Sequence, residues 1–317
     1  MIKAPIEKPE APASDTSRLA GWRNVGQKPQ MRWLGLLGFI LLLAAIFGKS
    51  LIAFVPFAAN SDLHSYILLV PIVSLYLFYI RRGALPKRYH SSPRLAVFLL
   101  LIGVTSLIVR SRIPDISRND YFSLTILAFV CLLVAGCFFF TGEAWMKAVA
   151  FPLGFLFFMI PMPEAMSNGL ETASKLASAD VANFFFNITN TPVLRNGTFF
   201  QLPNITVEVA QECSGIRSSW ILLITSLLAS NVFLKTTWRR ALLVAFVVPL
   251  AIVRNGFRIF VIGSLCINLG PQMIHSIIHR RGGPFFFSLS LVPLFILLEW
   301  LRRREAILKP VSEKQNG

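Results

Sequence analysis

The chain has 317 residues, 55% of them hydrophobic and 15% charged, with a formal net charge of +16 and a mean hydropathy of +0.63. A water-soluble chain is about a quarter charged, so this composition excludes a single soluble core, and the apolar content excludes a disordered chain. What fits is an all-α polytopic membrane protein whose basic residues border apolar runs, which excludes reading them as a nucleic-acid surface.

Residues 1–30 are polar and rich in Pro and Ala, which predicts a disordered cytoplasmic tail. A cleavable signal peptide would place its apolar run earlier. Apolar segments then follow at 33–57, 64–80, 95–109, 122–140 and 145–160, giving transmembrane helices 1–5 within 31–160. Three more at 218–234, 241–265 and 285–300 give helices 6–8 within 213–304, ahead of a cytoplasmic tail at 305–317. With both termini cytoplasmic, Arg81-Arg82, Lys87-Arg88, Lys235, Arg239-Arg240 and Arg302-Arg303-Arg304 all fall inside, as the positive-inside rule requires. About eight transmembrane helices with that orientation is the predicted topology. No repeat of equal period and no inverted half is visible.

Residues 161–212 interrupt the apolar pattern on the extracytoplasmic side of this topology. Pro161 and Pro163 stop a helix. Leu170, Ala173, Leu176, Ala177, Val181 and Phe184 then recur at helical spacing, which predicts an amphipathic helix at the outer membrane surface. Around Asn196-Gly197, β-formers alternate with polar residues, which predicts a β-hairpin.

The chemistry-bearing residues follow that insertion. Cys131, Cys137 and Cys266 sit inside apolar runs and read as small hydrophobes. Cys213 instead stands at the start of helix 6, where a helix N-terminus and Arg217 one turn on would favour the thiolate. Alternatively it is a small residue packing at a helix start. From Ala241 to Arg258 helix 7 rises about 26 Å, so Arg254 and Arg258, at i and i+4, lie toward the outer side. A charge embedded there usually faces a protein interior or cavity, and snorkelling to the interface is the plainer alternative. His275 and His279 lie one helical turn apart before helix 8, without the Glu of a zinc-protease motif, so a general acid–base role fits better than a metal. Thiol, guanidinium and imidazole would share one membrane level, and together they are the parts of an acyl-transfer site. A different class of reading is a transporter or lipid flippase that binds an anionic substrate with its embedded Arg residues.

Three motifs resemble the exosortase/archaeosortase family of membrane transpeptidases: Glu212-Cys213-Ser214-Gly215-Ile216-Arg217-Ser218, Asn255-Gly256-Phe257-Arg258-Ile259, and His279 followed by Gly283 and a Phe-rich span. The resemblance implies a cysteine peptidase or transpeptidase that cleaves a C-terminal sorting signal from exported proteins: a short motif such as Pro-Glu-Pro, one hydrophobic helix and a basic tail. It implies Cys213 as nucleophile, Arg258 as the residue that holds the oxyanion or positions substrate, and His279 as proton carrier. His275 is a rival for the last role and Arg254 for the second. Expected partners are membrane-anchored exported proteins, the bilayer and an acceptor nucleophile. No cofactor, metal or nucleic acid is expected.

Overall fold

A computed structural model describes residues 29–61, 63–86, 93–203, 205–209, 215–270, 272–273 and 282–313. The tail expected over 1–28, and Cys213, His275 and His279, fall outside the described residues. The chain is an all-α polytopic bundle with one small sheet. Helix α1 is Pro29–Ala59; a 3-10 stretch, Ser65–Leu69, leads into α2, Val70–Arg81. Then come α3 (Pro93–Arg112), α4 (Arg118–Thr141), α5 (Glu143–Ala148) and α6 (Ala150–Phe155). Helix α7 (Glu164–Ile188) precedes strands β1 (Leu194–Asn196), β2 (Phe199–Leu202) and β3 (Ile205–Glu208). The chain continues through α8 (Ile216–Phe233), α9 (Thr237–Leu269) and α10 (Gly283–Glu313).

All eight apolar segments are helical, but among the described residues only α1, α3, α4, α8, α9 and α10 are each long and apolar enough to cross a bilayer. Two segments fall short for local reasons. The second begins as a 3-10 turn, with Pro71 at the first turn of α2. The fifth is cut into α5, α6 and a 3-10 turn, with Gly142 at φ +82° and Pro152 within it. Past Pro161 and Pro163 the chain turns by 89° between 150–159 and α7, and this bent pair could make a seventh span.

Polar contacts define the two ends of the bundle. At one end Arg81 donates to Asn231 Oδ1 (2.8 Å) and to the Ala148 carbonyl (3.4 Å), which gathers the last turns of α2, α5 and α8. Glu305 of α10 accepts there from the backbone N–H of Lys235 (2.9 Å) and Thr236 (2.6 Å) and from the Thr236 hydroxyl. Arg81, Arg82, Lys235, Arg239, Arg240 and Arg302–Arg304 therefore share one rim. At the other end Asp120 Oδ1 accepts from the Glu164 N–H (2.7 Å), and Arg217 Nη2 donates to Ser65 Oγ (3.3 Å).

Glu305 caps α9 from a different helix, because Thr236 makes no side-chain cap of its own. Glu305→Ala should therefore strand two helix-end N–H groups. We expect it to lower stability by about 1–2 kcal/mol, read as a lower unfolding temperature in detergent; an unchanged midpoint would contradict the capping role.

Helix α9 has 33 residues, about 50 Å, whereas the hydrocarbon core is about 30 Å thick. Its C-terminal third is covered instead by α7 and the sheet. Ser178 meets Asn255, Val181 meets Gly256 and Phe186 meets Gly263, so the two helices run parallel here. A Cβ on Gly256 would lie 2.6 Å from Val181 Cβ, which is why only Gly fits at this crossing. Phe186, Phe200, Leu202, Val209 and Ile259 fill the core of this cap. The expected amphipathic helix is thus α7, its small-residue stripe (Ser178, Ala179, Ala182) docked on α9. The expected hairpin is present, with Asn196 paired to Phe199 across Gly197-Thr198 and Gly197 at φ +61°. A third antiparallel strand, β3, extends it to a meander.

Candidate active site

The site is built where α8 begins against α9. Gly215 is the N-cap of α8 at φ +69°, a left-handed conformation that L side chains avoid. Its carbonyl accepts from Ser219 N–H (2.9 Å), Ser218 Oγ (2.9 Å) and Ser219 Oγ (2.8 Å). Arg254 reaches across from α9, its Nη2 donating to the Gly215 carbonyl (3.1 Å) and to Ser219 Oγ (3.2 Å). Asn255 Nδ2 donates to Ser178 Oγ (3.1 Å), tying α9 to α7 at the same level. A Cβ on Gly215 would meet Asn255 Oδ1 at 3.0 Å and Arg254 Nη2 at 3.2 Å. Helices α8 and α9 therefore meet at this glycine, and Asn255 links the junction to α7.

The environment is buried and positively charged. Arg254 is 7% exposed and Asn255 2%. Arg254 Nη1 is also buried, and among the described residues it has no hydrogen-bond partner. No carboxylate pairs with Arg254 among them either. Arg258 lies half-buried one turn further along α9, while Arg217 is exposed at the surface of α8. Arg254 is thus a cation held in a water-poor interior, where its charge is weakly screened. Among the described residues no three His, Cys, Asp or Glu side chains stand close enough to hold a metal ion.

Of the expected site residues, Arg258 and its rival Arg254 are described, and Cys213, His279 and His275 lie outside the described residues. The structure does bring Gly215 of the first motif against Asn255 of the second and against Arg254, the residue just before it. Cys131, Cys137 and Cys266 are buried free thiols. Sequence reasoning missed Ser178, which nothing in a run of small residues distinguishes.

The chain matches the family model of the transmembrane exosortase over residues 58–296. It belongs to that family. The match runs from the last turn of α1 into α10 and contains all three motifs. No curated protein and no solved structure matches the chain. Family and bundle together make this a multi-pass membrane protein of exosortase type.

Proposed function

We propose that this exosortase is a membrane cysteine transpeptidase that removes a C-terminal sorting signal from exported proteins at the outer membrane interface. The signal would comprise a short motif such as Pro-Glu-Pro, a hydrophobic helix and a basic tail, and the acceptor would be an amine or water. The observation that carries the reading is the 3.1 Å bond from Arg254 to Gly215. It joins the arginine-bearing stretch of α9 to the segment that contains Cys213. Only Ser214 separates Cys213 from Gly215, so covalent geometry alone keeps their Cα atoms within about 7 Å. The shared basic rim at the opposite end supports a cytoplasmic position for that end and an extracytoplasmic position for the site.

In this mechanism the Cys213 thiolate attacks the scissile carbonyl carbon, forming a C–S bond and an oxyanion held by Arg258. Collapse breaks the C–N bond, and His279 delivers a proton to the leaving amine. The resulting thioester is attacked by the acceptor, whose proton returns to His279, and Cys213 leaves as thiolate. His275 and Arg254 are the alternatives for the proton carrier and the oxyanion partner.

The test is mass spectrometry of the full-length protein isolated from cells expressing an exported substrate. An acyl adduct confined to Cys213, together with labelling of that thiol by a membrane-impermeant maleimide added outside, is the expected result. A Cys213 that carries no acyl group and reacts only in inverted vesicles would overturn the reading. Family membership favours this function over the transporter reading.

A further inference from the structure

Arg254 sits in the interior, and among the described residues no carboxylate compensates its charge. The residue is 7% exposed, and one guanidinium nitrogen, Nη1, is buried without a partner among the described residues. An uncompensated buried charge costs far more than one hydrogen bond returns. The carbonyl it contacts does not need it, because Gly215 O already accepts from Ser219 N–H and from the hydroxyls of Ser218 and Ser219. Among the described residues, then, the contacts of Arg254 give no stabilising reason for the charge.

Its position gives a reason of another kind. The first turn of α8 carries the partial positive charge of a helix N-terminus, and Arg254 lies against that turn in a medium where charge is weakly screened. Arg217, the cation within the first motif, is exposed and donates to Ser65 Oγ, so water screens it. Among the described residues the other charges on these elements are Arg258 on α9 and, near the far end of that helix, Arg239 and Arg240, Glu164 at the start of α7, Glu171 paired with Lys175 on α7 (3.0 Å), and Asp180 of α7 paired with Arg195 of β1 (2.6 Å). We infer that Arg254 is a positioning residue that acts through the start of α8: a buried cation, fixed by Gly215 and Ser219, that raises the positive potential where the nucleophile segment joins the helix. This deepens the cysteine-peptidase reading and rests on it.

The test uses the purified full-length protein and iodoacetamide, with alkylation of Cys213 followed by peptide mass spectrometry across a range of pH. Arg254→Met should slow alkylation at pH 7 by about tenfold and move the pH profile up by about one unit, the change expected when a thiol loses a nearby cation. Arg254→Lys should recover most of the rate, and Arg217→Gln should change little. The unfolding temperature of Arg254→Met should stay level or rise, since a Met side chain fills the site without a charge. A wild-type profile in Arg254→Met would overturn the inference. So would a larger effect from Arg217→Gln. If Arg254→Met failed to fold, Ser219→Ala, which frees one side of the guanidinium, should still shift the profile in the same direction, and no shift there would count equally against it. Substrate processing that survives loss of the Cys213 thiol would sink the peptidase reading while leaving the alkylation result standing, so the two failures are distinguishable.

Discussion

Cys213→Ala is expected to leave exported substrate at full length, with its C-terminal helix still attached, while the protein stays in the membrane at wild-type abundance. Under the proposed mechanism every later step needs the thioester, so removing the sulfur removes the route rather than slowing it. What electrostatics and substrate positioning alone can sustain is small beside the full reaction. Cys213→Ser should be nearly as poor, because a hydroxyl lacks the accessible anion that makes a thiol reactive near neutral pH. Among the described residues, the cores that hold α1 to α6 and α8 to α10 together are built from side chains on those helices. Immunoblotting for the substrate's mass, with membrane fractionation of the variant, measures both halves of the expectation. Normal processing would end the assignment.

Gly215→Ala is expected to lower substrate turnover by more than tenfold with the bundle still folded. Two effects add. A left-handed residue with a Cβ costs about 1–2 kcal/mol. The new methyl would also meet Asn255 Oδ1 at 3.0 Å and Arg254 Nη2 at 3.2 Å. Neither neighbour can give way freely, because Asn255 is tied to Ser178 and Arg254 to Ser219. The methyl therefore pushes the first turn of α8 off α9, which displaces the segment carrying Cys213 from the arginines. Gly215→Asn separates the two effects. Asn tolerates the left-handed conformation but still needs the space, so it should be no better than Ala. Processing rates compared with unfolding midpoints would show it, and a wild-type rate in Gly215→Ala would refute the close-packed start of α8.

These expectations draw on features that the sequence shows to different degrees. The spans are legible because lipid leaves a helix no other way to satisfy its backbone, so each must declare itself as a long apolar run. The same rule overstates 64–80 and 145–160, where a 3-10 turn and internal Gly and Pro shorten helices that hydropathy still scores as apolar. Asn196-Gly197 announces the hairpin through local turn chemistry. The third strand, Ile205–Glu208, falls in the LPNITVEVA stretch, which is similar to the strand that leads into the family's nucleophile segment. Arg254 and Arg258 are visible as embedded charges, but periodicity puts both on one face and cannot rank them. Only the approach of α8 separates them, and that contact joins residues 39 positions apart in the chain. Arg217, near in sequence to Cys213, is exposed on α8 and donates to Ser65, a contact 152 positions away that spacing does not show.

The uninterrupted run of α9 from the basic rim to the cap has a consequence for where the protein can work. One rod anchored beside Glu305 carries Arg254 about 22 Å above Arg239, so the height of the guanidinium is set by the helix and not by the surrounding lipid. A thicker leaflet would drown that arginine beneath the headgroups, and a thinner one would lift it toward bulk water. Reconstitution in acyl chains of graded length thus becomes a way to tune the site without touching a single codon.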